Sequence, residues 1–115
     1  MKRKDIIKIK EITNINEAFN LCDYIAKRNK RKFNFSKLAE ELNELSDVCL
    51  KFINKKGEFR PNKEKFIEEL GDVITRIEML IEAENIIKKD VDQRIIFKAN
   101  KYLQYIKEGK YDKGI

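Results

Sequence analysis

Apolar residues recur along most of this chain at intervals of three and four, the period of an amphipathic helix. A first helix is expected from about residue 15 to 30. It opens at Asn14-Ile15-Asn16-Glu17, which has the form of a capping box, and carries Ala18, Leu21, Cys22, Ile25 and Ala26 on one face. A second spans about 36–54, with Leu38, Leu42, Leu45, Cys49, Phe52 and Ile53 together. The third covers about 62–88, with the stripe Phe66, Leu70, Val73, Ile77, Leu80 and Ile81. Asp90, followed three residues later by Gln93, offers the cap of a fourth helix reaching about residue 107 and burying Val91, Ile95, Ala99, Tyr102 and Ile106. Lys55–Pro61 reads as a connector. Residues 1–14 read as an arm, extended or a short strand over 1–12, and 108–115 as a flexible tail, leaving a helical domain over 15–107. Short links between amphipathic helices imply antiparallel neighbours, so the expected fold is all-α, a four-helix bundle.

The acids on the second and third helices follow the same phase. Residues 37–53, KLAEELNELSDVCLKFI, align without a gap on 65–81, KFIEELGDVITRIEMLI. At about 100° per residue, Glu41 falls in the row Leu38–Glu41–Leu45–Val48 and Glu69 in the row Phe66–Glu69–Val73–Arg76. Glu44 and Asp72 sit at the edge of the apolar face, while Glu40, Glu68 and Asp47 point away. A hairpin pivoting near Glu58 brings Glu44 level with Asp72, with Glu41 and Glu69 about a turn to either side. Carboxylates gathered beside a core repel one another and are costly to desolvate. A hard divalent cation such as Mg²⁺ removes that cost, because it takes carboxylate oxygens and completes its shell with water and phosphate.

Composition narrows the chemistry. The chain of 115 residues has no His, which excludes Ser-His-Asp and Cys-His catalysis and His-ligated zinc. Cys22 and Cys49 have no metal-binding spacing and read as buried reduced thiols of a cytoplasmic protein. No apolar run approaches the roughly 20 residues of a membrane span, and the basic start lacks the apolar segment of a secretory signal. The net charge of +6 is compatible with binding polyanions, and the densest basic run is Lys27–Lys32.

Glu40-Glu41-Leu42-Asn43-Glu44, followed after 24 residues by Glu69-Leu70-Gly71-Asp72, resembles the EExxE…ExxD signature of the MazG-like all-α nucleoside triphosphate pyrophosphohydrolases. The resemblance covers about residues 17–106. It implies that Glu41, Glu44, Glu69 and Asp72 bind Mg²⁺, with Mn²⁺ able to substitute. It also implies cleavage of a (d)NTP between the α- and β-phosphates to give monophosphate and pyrophosphate. Glu41 or Glu44 would then orient or deprotonate the attacking water. The family's usual assembly implies a homodimer or homotetramer.

Arg94, Lys98, Lys101 and Tyr105 form a stripe along the fourth helix, so Arg94, Lys98 and Lys101 are candidate phosphate ligands. Arg76, in the row of Glu69, is a further one. Phe19, Phe33, Phe35 and Phe52 are candidates for stacking on a base. The rival reading is a non-enzymatic basic helical module that binds nucleic acid or a protein partner. The acid seam opposes nucleic-acid binding, since it repels phosphate backbones.

Overall fold

Asn14 starts the first long helix by accepting the Glu17 N–H on its side-chain oxygen at 2.9 Å. The computed structural model describes residues 2–54 and 63–110; the expected connector Lys55–Pro61, with the pivot at Glu58, and the end of the tail lie outside the described residues. In chain order the helices are α1 (Arg3–Ile7), α2 (Ile15–Arg28), α3 (Arg31–Asn54), α4 (Lys63–Ala83) and α5 (Lys88–Lys107). The architecture is all-α, with no strand among the described residues. No described helix is long and apolar enough to cross a membrane.

Several boundaries differ from expectation, each for a local reason. The arm contains one short helix, α1, rather than a strand, closed by bonds from the Asp5 and Ile6 N–H groups to the Lys2 carbonyl. α3 begins five residues before the expected 36. The Phe33 and Asn34 amides bond back to the Lys30 carbonyl, and Asn34, only 3% exposed, turns inward. Its Nδ2 donates to the Ala26 carbonyl at 2.9 Å, and its Oδ1 accepts from Asn29 Nδ2 at 3.0 Å. One side chain thereby satisfies an orphan carbonyl at the end of α2 and fixes the turn into α3. α4 stops at Ala83 rather than about 88, because Asn85 adopts φ 54°, a left-handed conformation that Asn tolerates and that closes a helix. α5 is preceded by Ile87, not capped by Asp90. Asp90 lies in its first turn, where its charge still favours the helix N-terminus.

α4 packs on both α3 and α2. Lys27 reaches Glu82 at 3.3 Å, and Arg31 Nε lies 2.9 and 3.0 Å from the two oxygens of Glu84. These pairs bring the end of α2 and the start of α3 to the end of α4, so α3 runs antiparallel to α4 and α2 parallel to it. Ala26, Val48, Val73, Met79 and Leu80 form the buried apolar core. On α4 the buried residues are Glu69, Val73, Met79 and Leu80, so Val73 and Leu80 of the expected stripe lie inside while Glu69 and Met79 join them. Leu42, Ile53, Leu70 and Ile77, expected inside, are exposed. The chain divides into two compact units, Met1–Asn85 and Ile86–Ile115. No residue of α5 is buried. Within its own unit α5 does not bury the expected Val91, Ile95, Ala99, Tyr102 and Ile106, since a single helix has no second layer of its own.

Asn34→Ala removes the partner of a buried carbonyl and should lower unfolding free energy by about 1–3 kcal/mol in urea melts. Gly71 lies inside α4, where an added Cβ meets nothing within 4 Å. Gly71→Ala should therefore stabilise by about 0.5–1 kcal/mol in the same assay.

Candidate metal centre

Glu41 and Glu44 are one turn apart on α3, and Glu69 and Asp72 one turn apart on α4. Antiparallel packing faces the two pairs across the helix contact. Oxygens of Glu41, Glu69 and Asp72 all lie within 4.8 Å of one another. Glu44 joins them at the exposed edge, beside Glu41 and Glu69. Glu69 is 3% exposed, and its Oε2, like Oε2 of Glu41, is buried with no hydrogen-bond partner. Lys65 takes the other Glu69 oxygen at 2.8 Å. An acidic group of this kind on a solvated face needs no ligand. Two carboxylate oxygens buried without a partner forfeit water with no replacement, and a cation is one group that would offset that loss. The donor set is all hard oxygen, which suits Mg²⁺. Glu40 pairs instead with Lys37 at the surface, and Glu68 with Lys65 at 3.6 Å, both exposed.

The charges shift the acids in opposite directions. Glu41 beside it raises the Glu44 carboxyl above the ordinary 4.5, helped by desolvation and by contact with Glu69. The Lys65 ammonium lowers Glu69 below 4.5, overcoming its burial, and Glu69 in turn raises Lys65.

Two cavities flank the acids. A cleft of about 890 Å³ between α3 and α4 is lined by Glu44 and Glu69 together with Asn43, Lys51 and Lys65, and Asp47, expected to point away, lines it as well. A smaller one, of about 330 Å³, lies where Glu41, Asp72 and Arg76 meet Cys22 and Thr75. Arg76 thus stands beside the acids, its Nη1 directed at Met79 Sδ at 3.7 Å, a weak acceptor. Cys22 is free and its thiol is pushed above the ordinary 9.0, chiefly by burial, so it is not a nucleophile at neutral pH. Both cysteines are half-buried rather than fully inside.

Lys51 and Lys65 were not singled out by sequence reasoning. Each lies on the polar side of its own helix, and only the facing helix turns that side into a cleft wall. A second acidic group was also missed: Asp23, Glu78 and Glu82, with Asp23 Oδ1 buried and unpartnered. Lys27 already neutralises Glu82 there. The basic run is largely committed. Lys27 and Arg31 are paired, and Arg28 lies 3.3 Å over the Tyr24 ring. Arg94, Lys98 and Lys101 belong to α5, in the second unit. They lie over the rings of Phe97, Tyr102 and Tyr105 at 4.6, 5.2 and 5.8 Å. Phe33 and Phe35 are exposed.

Compared with protein-family models, with characterised proteins and with solved structures, the chain matches none.

The opposed shifts give a signed pH response. Glu44, raised in the native state, disfavours folding once ionised, so its contribution improves as pH falls from neutral toward 4.5. Glu69, lowered, contributes above 4.5 and loses that contribution as pH falls through its native value. In chelator, Glu44→Gln should melt above the wild type at neutral pH. It should also lose the rise in melting temperature between about pH 7 and pH 5, as read by thermal melts across that range.

Proposed function

We propose that this chain is a Mg²⁺-dependent nucleoside triphosphate pyrophosphohydrolase with a MazG-like helical fold. The observation that carries the metal half is the meeting of Glu41, Glu69 and Asp72 around two orphaned buried oxygens. The phosphoanhydride half is carried by the resemblance of the EELNE and ELGD segments to that family's signature. Glu41, Glu69 and Asp72 would hold the cation, with Glu44 completing the set from the cleft edge. When bound, a cation there would supply charge neutralisation at phosphate oxygens and Lewis acidity toward water. Glu44 is the better placed proton acceptor. It lines the larger cleft, where a proton can be taken from entering water. Water adds to phosphorus, its proton passes to Glu44, and the α–β bridge breaks to release pyrophosphate. Arg76 in the smaller cavity is a candidate for a phosphate contact within the first unit. Lys98, Arg94 and Lys101 remain candidates on the strength of the sequence stripe alone.

The exposed apolar side chains of α3 and α4, among them Leu42, Ile53, Ile67, Leu70 and Ile74, support a homodimer or homotetramer. A cytoplasmic nucleotide-pool role accompanies this reading.

The test is a screen of common NTPs and dNTPs with Mg²⁺ that resolves pyrophosphate from orthophosphate. Pyrophosphate is expected, with turnover reduced roughly a hundredfold or more by Glu41→Gln, Glu44→Gln, Glu69→Gln or Asp72→Asn. Glu40→Gln and Glu68→Gln should stay within about threefold of wild type. Equal sensitivity at Glu40 and Glu41, or salt-dependent nucleic-acid binding without any turnover, would sink this reading in favour of the binding module.

A further inference from the structure

Lys65 lies one turn ahead of Glu69 on α4, and the two ends of their pair are unlike. The Lys65 side chain is 58% exposed and the Glu69 side chain 4%. Packing therefore holds the carboxylate, whereas the ammonium reaches in from solvent on a flexible stem. It has a second acceptor at hand in exposed Glu68, at 3.6 Å. The carboxylate it bonds is the one shared with Glu41 and Asp72. The ammonium satisfies Oε1 of Glu69 and leaves Oε2 of both Glu69 and Glu41 without a partner. A divalent ion among the three acids and an ammonium on the same carboxylate would repel each other at close range.

We propose that Lys65 is the built-in counter-cation of the Glu41–Glu69–Asp72 group, and that a divalent cation displaces its ammonium from Glu69 on binding. This rests on the metal centre proposed above. Lys65 is then a positioning residue with two settings. When the metal is scarce it holds the acids together and competes with the ion. Once displaced, it remains a cation on the wall of the cleft it lines with Glu44, facing whatever anion enters. Lys51 lines the same cleft but is held 3.0 Å from Asp47, which is outside the acid group. It supplies the matched control for loss of one positive charge.

Calorimetric Mg²⁺ titration of the full chain, with melting temperatures in chelator and in saturating Mg²⁺, tests the exchange on wild type, Lys65→Met, Lys65→Gln and Lys51→Met. Displacement expects both Lys65 variants to bind Mg²⁺ about three- to tenfold more tightly. They should melt below wild type in chelator and match it in saturating Mg²⁺. Lys51→Met should keep wild-type affinity within about twofold. Lys65 variants that fold only with Mg²⁺ also support the exchange. Variants that fold in neither condition overturn it, because a counter-cation replaced by the ion is dispensable once the ion is present. Unchanged affinity, with the same loss of melting temperature in chelator and in Mg²⁺, overturns it too and makes the pair a plain structural ion pair. Wild type that binds no Mg²⁺ is a separate result, which overturns the metal centre itself and the exchange with it.

Discussion

A carboxylate almost wholly removed from water is the constraint around which α3 and α4 are arranged. Glu69 begins the buried strip of α4, one turn ahead of Val73, at a position that would otherwise take an apolar residue. Desolvating a charge there is expensive unless opposite charge is supplied. Lys65 supplies part of it along the same helix. Across the contact come Glu41 and Glu44, which add charge of the same sign and make the balance worse. Apolar residues at these positions would pack with less cost, so the acid group is held at the expense of stability.

The other end of the unit is held by groups of conventional kind. Asn34 occupies the α2–α3 corner with both ends of its amide bonded. Lys27 and Arg31 reach the last turn of α4 and the residue after it. These contacts set where α2 and α3 meet α4. They thereby set the register that puts one pair of acids opposite the other about three turns away. A rigid corner distant from the acids is what lets a repulsive group stay assembled.

The apolar core is small for the number of large apolar side chains. Many of those on α3 and α4 face outward, and α5 buries none of its own. Helices of this amphipathic type draw most of their stability from a covered face. The exposed rows of α3 and α4 are where further covering would act.

Residue order alone determined the helical period, the Asn14 cap and the placing of Glu40 and Glu68 on other faces than Glu41 and Glu69. All three depend on spacings of three and four residues, which backbone geometry turns into faces whatever else the chain does. The tertiary structure decided which row is buried. Glu69, Val73 and Leu80 lie inside while Leu70 and Ile77 do not, because α4 is wedged between two neighbours rather than laid on one. It also decided that Arg31 is spent on Glu84, 53 residues away, and that the polar flanks bearing Lys51 and Lys65 become the walls of a cleft. Periodicity shows what a helix can present, but burial and pairing depend on the helix that meets it.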